Sequence, residues 1–250
     1  MAVVNPVTTG SEAAPALVAV AHGSRDRAAG NSIRALLQDV SARRPGLDVR
    51  ASFIELTEPS LAEALTAVAG AAVVVPLLLS RGYHIRVDVP RAARGRPRTV
   101  VAAPFGPDRN FVPILAERLH EAGYRRGDGV VLAAAGSSDP AGAEDVETVA
   151  GWLAEELGAD NAHVAAGYGS AATPTVADAV RQLRASGCER VGIATYLLAP
   201  GHFADRLHTA GADLVTAPMT PFPDLADLVL RRYDDAVRAH PELLSGGPTG

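Results

Sequence analysis

Short apolar runs alternate with longer amphipathic segments along most of this chain, and this alternation constrains the fold more than any other feature. The runs are almost continuously apolar, as expected for strands that a sheet buries on both faces. Alternation with helical segments predicts βαβ units around a parallel sheet. The predicted strands are residues 16–21, 49–54, 72–79, 99–103, 130–134, 162–166, 191–197 and 213–217. The predicted helices are 31–43, 60–69, 108–121, 143–157 and 174–186, with disordered tails at 1–14 and from 245 onward.

The chain also repeats its pattern once, across a Gly-rich link at residues 123–129. The first strand of each half ends in a Gly-Ser turn, as VAVAHGSRD in one half and VLAAAGSSD in the other. Pro59 and Pro174 are each expected in the first turn of the helix after the second strand. We therefore predict an α/β protein of two flavodoxin-like lobes, residues 15–125 and 126–240. Each lobe has a four-stranded parallel sheet, and the two pack as a pseudo-dimer within one chain.

Composition limits the partners of such a chain. Its net charge of -5 disfavours a general role in binding nucleic acid or anionic membranes. The single cysteine, Cys188, excludes an intrachain disulfide and a cysteine metal cluster. The N-terminus lacks a signal-peptide pattern and no apolar run reaches the length of a membrane span, so we expect a cytoplasmic protein.

Three potential metal ligands follow three neighbouring strands of the first half. His22 and Glu55 come directly after the first two strands, and His84 lies in the loop after the third. The carboxyl ends of parallel strands meet at one edge of a sheet, with neighbours about 4.8 Å apart. Two imidazoles and a carboxylate suit Fe²⁺, Co²⁺, Ni²⁺ or Zn²⁺ and leave coordination positions open. The alternative is that each residue is an ordinary polar group at a strand end.

The turn after the first strand allows two other functions. A glycine and a serine there can cradle a phosphate at a helix N-terminus, or the serine can act as a nucleophile. The phosphate-loop, dinucleotide and nucleophile-elbow signatures are all missing from the sequence. We therefore expect Ser24 and Asp26 to cap the following helix instead.

Arginines are dense around His84. Arg81 and Arg86 lie close enough to it in sequence to bind carboxylates of an anionic substrate. Asp88 and Pro90 predict a helix start, with Asp88 a candidate partner for a ligand histidine. The more distant arginines are expected on a solvated helix face: Arg91, Arg94, Arg96 and Arg98.

Several of these segments together resemble one family. They are AVAHGSRD (19–26), FIEL (53–56), EPSL (58–61), VVVPLLL (73–79), GYH (82–84), DVP (88–90) and LLAPGHFAD (197–205). This combination resembles the sirohydrochlorin chelatases, the class II chelatases of siroheme and cobalamin synthesis, in their long two-lobed form. The resemblance covers most of residues 16–235.

The resemblance implies a lyase-type chelatase that inserts Fe²⁺ or Co²⁺ into sirohydrochlorin, a tetrapyrrole bound between the lobes, with release of two protons. The metal is then a substrate, no prosthetic group is needed, and the chain is expected to be a monomer. His22 and His84 match the family's active-site histidines, and Glu55 matches the acidic residue that binds metal with them. Tyr83 departs from the family pattern, which has a glycine there. The expected substrate-binding residues are Ser24, Arg25, Arg81, Gly82, Tyr83, Arg86, Pro200, Gly201 and His202.

Two other classes share these ligands. A non-catalytic carrier of metal or tetrapyrrole needs the same pocket, and only turnover separates it from an enzyme. A mononuclear metal hydrolase or oxygenase also uses two histidines and a carboxylate. That class requires a further general base beside the metal, and the sequence offers no convincing candidate.

The two lobes are expected to be chemically unequal. Alignment of the halves places Ala135 opposite His22 and Ser170 opposite Glu55, so that His202 alone remains as a counterpart of a ligand. A single neutral imidazole holds a divalent ion poorly. We therefore predict one metal site, in the N-terminal lobe, with the C-terminal lobe as the opposite wall of the cleft.

Overall fold

The structure is a computed structural model that describes residues 14–158 and 163–244. Its strands are β1 (Ala16–Ala21), β2 (Val49–Phe53), β3 (Ala72–Pro76), β4 (Thr99–Val101), β5 (Gly129–Ala134), β6 (Val164–Tyr168), β7 (Val191–Thr195) and β8 (Leu214–Val215). Its helices are α1 (Arg27–Arg43), α2 (Leu61–Thr66), α3 (Val89–Ala93), α4 (Phe111–Glu121), α5 (Pro140–Leu157), α6 (Val176–Ala185), α7 (His202–Leu207) and α8 (Asp224–Ala239). Apart from Ala14, the predicted disordered tails lie outside the described residues. In the part of the chain that is described, none of the helices has the length and apolarity needed to cross a membrane.

The strands form two four-stranded parallel sheets. Their orders are β2-β1-β3-β4 and β6-β5-β7-β8, so the first strand of each half lies between the second and the third. In the first sheet Ala19 pairs with both Ala51 and Val75, in continuous register. The predicted two-lobed, flavodoxin-like α/β fold is confirmed.

The central strands are buried as their apolar runs predict. Every residue of β1, β3, β5 and β7 is buried. Some strand ends were predicted wrongly, because a strand continues only while it has a partner to pair with. Strand β3 ends at Pro76, which pairs with Val20, and not at residue 79. Strand β8 has two residues where five were predicted, since only Leu214 and Val215 pair with β7. Strand β6 runs two residues later than predicted, with Val164 opposite Val130.

Two prolines that were expected inside helices lie just before them. Pro59 and Pro174 each follow a cis peptide bond, and the next residue is the N-cap of α2 or α6. Ser60 has the extended backbone of an N-cap and accepts a hydrogen bond from the Glu63 amide at 3.3 Å. Thr175 caps α6 in the same way. The prediction of a first-turn proline is therefore wrong, because the capping side chain, one residue later, sets where the helix begins.

The last helix of each half packs on the other half. Helix α4 packs against α5 and β7, whereas α8 packs against α1 and β3. Arg44, at the end of α1, holds Asp234 of α8 with both terminal guanidinium nitrogens. Arg232 of α8 donates to Asp108 at 2.6 Å, just before α4. The largest hydrophobic core consequently contains residues of both sheets, and each lobe also has a smaller core of its own. The sequence division into residues 15–125 and 126–240 stays a prediction, since the two lobes exchange their terminal helices.

Candidate metal site and cleft

Three potential ligands meet at the carboxyl ends of the first sheet. His22 follows β1, Glu55 lies just beyond β2, and His84 opens a π-helical turn (His84–Asp88) after β3. One ligand atom from each lies within 4.8 Å of the others. The His22 Nε2 atom is 3.6 Å from Glu55 Oε1, and the two imidazole rings stand at right angles with centroids 4.8 Å apart. The geometry therefore brings together the three residues that the sequence singled out.

These side chains are accessible from outside the protein. The His22 and Glu55 side chains are 51% and 49% exposed, and that of His84 is 34% exposed. Two nitrogens and a carboxylate at this spacing are a donor set for a borderline divalent ion such as Fe²⁺, Co²⁺ or Zn²⁺. Three protein ligands leave room in the coordination sphere for groups from another molecule. The arrangement fits an ion that is delivered and passed on better than one locked in a closed structural site.

The backbone fixes His22 and Glu55 relative to each other. The Glu55 amide donates to the His22 carbonyl at 3.0 Å. Between them, Gly23 has a φ of +96°, and a Cβ there would lie 1.8 Å from the Glu55 carbonyl oxygen. Only glycine permits this close approach and this conformation. The Thr57 hydroxyl closes the same loop by accepting from the Ser24 amide at 3.0 Å and donating to the Ser24 carbonyl at 2.9 Å.

His84 is oriented by its own helical turn. Its Nδ1 lies 2.7 Å from Asp88 Oδ2, one turn further along the chain. A carboxylate on one ring nitrogen orients the imidazole and leaves Nε2 free to ligate. Asp88 does not cap α3 with its side chain, because the chain is already helical from His84 and the π-helical turn runs into α3 at Val89.

The C-terminal lobe repeats this backbone without the ligands. The Ser170 amide donates to the Ala135 carbonyl at 2.9 Å, and a Cβ on Gly136 would lie 1.9 Å from the Ser170 carbonyl oxygen. Ala135 and Ser170 thus occupy the positions of His22 and Glu55. Among the described residues, the group in the first lobe is the one set of three such side chains close enough to hold an ion.

The two arginines near His84 contact the other lobe. The Arg81 guanidinium binds Asp145 of α5, with Nη2 at 2.7 Å from Oδ1, and lies 3.5 Å from Glu144. The hydrogen bonds and the charge of Asp145 raise the pKa of Arg81 above its usual range. Arg86 forms an ion pair with Asp139 at 2.9 Å, yet its side chain remains 65% exposed. Arg86 is therefore the more available of the two for a bound anion.

The other residues that were predicted to contact the substrate lie on both sides of the same edge. Ser24 accepts from the Asp26 amide at 3.1 Å, and Asp26 caps α1 as predicted. A Cβ on Gly201, just before α7, would lie 3.5 Å from the Ser24 hydroxyl, so the loop of the second lobe touches the turn of the first. Gly82 and Pro200 are half-buried, whereas the side chains of Arg25, Tyr83 and His202 are exposed.

Sequence reasoning missed an apolar component of this region. Large apolar side chains are exposed in the segments next to the ligands, at Leu56 (55%), Val87 (36%) and Phe203 (38%), in addition to the predicted Tyr83 (59%). Phe203 covers Gly169, the neighbour of the Ser170 position. The sequence held one signal for them: each apolar residue lies within three positions of Glu55, His84 or His202. The prediction of a solvated helix face is wrong for Arg96 and Arg98. Both lie beyond the end of α3 and donate to backbone carbonyls, Arg96 to Leu65 and Arg98 to Leu243.

Two parallel-sheet lobes with a shared core and one open His₂–Glu group at the sheet edge define a protein with the two-lobed chelatase fold. The chain belongs to the CbiX family. The profile of that family matches residues 16–122 and again residues 129–236, once in each half.

Curated relatives and solved structures agree with this assignment. The sirohydrochlorin ferrochelatase of Priestia megaterium is 28% identical in an alignment 201 residues long that covers 74% of each chain. The sirohydrochlorin cobaltochelatase of Sulfolobus acidocaldarius is 29% identical over 113 residues, 42% of this chain and 90% of that protein. The structure of SirB from Bacillus subtilis with Fe³⁺ has a TM-score of 0.75 at 25% identity and covers 92% of this chain and 97% of its own.

Proposed function

We propose that this protein is a metal chelatase that inserts Fe²⁺ or Co²⁺ into sirohydrochlorin. The observation that carries the proposal is the group of His22, Glu55 and His84, whose ligand atoms lie within 4.8 Å of one another where loops of the two lobes meet. Relatives that are named for this reaction, with either metal, support it. The divalent ion is a substrate in this reaction, and no prosthetic group is required.

The reaction exchanges two pyrrole protons for one divalent ion. His22 and His84 are suited to both halves of that exchange, because neutral imidazole can ligate the ion and can accept a proton. Glu55 adds a negative charge that attracts the ion to an exposed position without enclosing it. The ion then passes to the ring nitrogens as the protons leave, so that charge at the site is conserved through the step.

The surroundings suit a flat ring with carboxylates on its edge. Exposed apolar side chains at Leu56, Tyr83 and Phe203 offer contacts for the face of a macrocycle. Arg86 and Arg25 are exposed cations near the site that can bind carboxylates. We assign the remaining contacts to the turn and loops of the two lobes: Ser24, Gly82, Pro200, Gly201 and His202.

We propose either iron or cobalt as the metal that is inserted. The same three ligands serve either ion, and intrinsic affinities favour neither strongly enough to exclude the other. Iron insertion would place the protein in siroheme synthesis, and cobalt insertion in cobalamin synthesis. The cytoplasmic location and the monomeric state stay predictions from the sequence.

The test is turnover. Purified protein, sirohydrochlorin and either Co²⁺ or Fe²⁺ are mixed without oxygen, with the protein far below the substrate. Metallation is followed by the change in tetrapyrrole absorbance. An enzyme converts many equivalents, whereas a carrier converts or binds no more than one per chain, and that result would contradict the proposal. His84→Ala should lose this turnover. Its matched control is His240→Ala, which removes an exposed imidazole that contacts Glu242 and lies outside the site.

A further inference from the structure

The segment that carries His84 is held from the C-terminal lobe at three points. The Tyr196 hydroxyl, after β7, donates to the Leu79 carbonyl at 2.9 Å. Asp145 accepts from the Arg81 backbone amide at 2.6 Å and from Arg81 Nε at 2.9 Å. Arg86 then pairs with Asp139, the N-cap of α5. The contacts lie on both sides of His84 in sequence, so a movement of the second lobe would move this ligand.

The packing at the middle point leaves little freedom. A Cβ on Gly142 of α5 would lie 2.5 Å from the Arg81 carbonyl oxygen, and one on Gly82 would lie 3.2 Å from the Ser137 hydroxyl. Asp145 itself is 3% exposed, and its carboxylate accepts from both the backbone and the guanidinium of Arg81. A buried carboxylate that is bonded in this way fixes the backbone as well as the side chain of its partner.

The other two ligands, His22 and Glu55, are positioned by their own lobe. His22 and Glu55 are joined directly by a backbone hydrogen bond within the N-terminal lobe. The sheet therefore fixes two ligands, whereas the third depends on a loop that leaves the sheet at Pro76 and is held by α5.

We propose that Asp145 is a positioning residue for the metal site: through Arg81 it holds the His84 loop where His84 can complete the ligand set with His22 and Glu55. The C-terminal lobe thus contributes to metal binding although it supplies no ligand to the ion. This inference rests on the proposed function, because it takes the three residues to be the metal ligands.

The experiment compares two buried aspartates of the same lobe. Asp128 also accepts from a backbone amide, that of Arg125 at 2.9 Å, and from a guanidinium, that of Arg190 at 2.9 Å. The variants Asp145→Asn and Asp128→Asn are titrated with Co²⁺, read by the visible d–d bands of the bound ion, and their unfolding temperatures are measured. We expect Asp145→Asn to weaken Co²⁺ binding about tenfold and to change the band shape. Asp128→Asn should lose a similar amount of stability with normal Co²⁺ binding.

A second pair of variants moves the loop without touching a charge. Gly142→Ala forces α5 against the Arg81 carbonyl, whereas Gly151→Ala on the same helix has no atom within 4 Å of the new Cβ. Weaker Co²⁺ binding is expected in Gly142→Ala only. If Asp145→Asn does not fold, this pair decides the question.

The outcomes separate the inference from the proposed function. If His84→Ala abolishes Co²⁺ binding but Asp145→Asn and Gly142→Ala bind as the wild type does, the positioning role is wrong and the metal site stands. If His84→Ala also binds Co²⁺ normally, the metal site itself is wrong. Equal losses in the Asp145 and Asp128 variants would show a general effect of stability and would overturn the positioning role.

Discussion

The two lobes have the same backbone around their first turn but different side chains on it. In both lobes a glycine with positive φ lies under a carbonyl of the next loop, and the hydrogen bond across the two loops is 3.0 Å in one and 2.9 Å in the other. Only the first lobe carries His22 and Glu55 there, where the second has Ala135 and Ser170. The fold therefore keeps the geometry of a site independently of its chemistry. After duplication, one lobe could lose its ligands and take on another role.

The second lobe, which lacks these ligands, contacts the segment of the first lobe that carries His84. Asp139, the N-cap of α5, and Gly142 and Asp145 within α5 all contact the His84 segment. The exchange of α4 and α8 between the halves makes the two lobes one body with a shared core. One lobe supplies the proposed metal ligands, and the other supports them from the opposite side.

The largest expected difference between the lobes is at their histidines. His84→Ala should lower the rate of metal insertion at least about 100-fold, because ligation and proton transfer are lost together. It should also abolish strong Co²⁺ binding. His202→Ala, the counterpart in the second lobe, should keep Co²⁺ binding. Steady-state assays and Co²⁺ titrations of both variants measure these effects. Equal dependence of Co²⁺ binding on the two histidines would contradict the difference between the lobes.

Alanine variants of the paired glycines, Gly23 and Gly136, should lose similar amounts of stability but should differ in metal binding. Gly23→Ala and Gly136→Ala each place a Cβ within 2 Å of a carbonyl oxygen at positive φ, at 1.8 and 1.9 Å. Both should destabilise the fold by about 2 kcal/mol or more. Thermal unfolding measures that loss, and Co²⁺ titration at a temperature where both are folded should show weaker binding in Gly23→Ala alone. Equally weak binding in Gly136→Ala would show that the metal site depends on the second turn as much as on the first.

Arg86→Ala should weaken binding of the tetrapyrrole more than binding of the free ion. Arg86→Ala removes an exposed guanidinium beside His84, and one lost charge-assisted contact corresponds to about 1.5 kcal/mol, or about tenfold in affinity. Quenching of intrinsic fluorescence by sirohydrochlorin measures this loss. Arg94→Ala, in the same arginine-rich segment but exposed at the end of α3, is the control. No difference between the two variants would remove Arg86 from the substrate site.

The smallest effects are expected from removal of a helix N-cap, and they should be the same in both lobes. Ser60→Ala and Thr175→Ala each remove an N-cap, of α2 and of α6. Each should cost about 1 kcal/mol of unfolding free energy, with Co²⁺ affinity unchanged. A change in metal binding on removal of either cap, measured by the same titration, would show that the site depends on α2 or α6 as well as on the sheet edge.

Much of the fold followed from the sequence because its signals are local. Continuous apolar runs mark strands buried on both faces, and the repeated Gly-Ser turns mark the two halves. The positions of His22, Glu55 and His84 also followed, since residues after parallel strands must meet at one edge. The spacing of their ligand atoms agrees with that expectation.

What the sequence did not reveal depends on contacts between distant segments. The exchange of α4 and α8 is set by which apolar faces fit together, and neither helix has a local signal for its partner. In the sequence, Asp145 is one of several acidic residues on α5 and nothing distinguishes it. Its hydrogen bond to Arg81 joins residues 64 positions apart. The pairing of Arg81 with this aspartate was likewise invisible in the sequence. Arg81 stays a predicted substrate contact, and the structure adds that it joins the two lobes.

The comparison of the two lobes predicts one metal site in the chain, in the N-terminal lobe. A crystal of the protein grown with Co²⁺ and measured at the cobalt absorption edge tests it most directly, because anomalous scattering locates the ion independently of the protein chain. We expect one strong peak per chain, within coordinating distance of His22, Glu55 and His84. Peaks of equal height in both lobes, or a single peak beside His202, would contradict it.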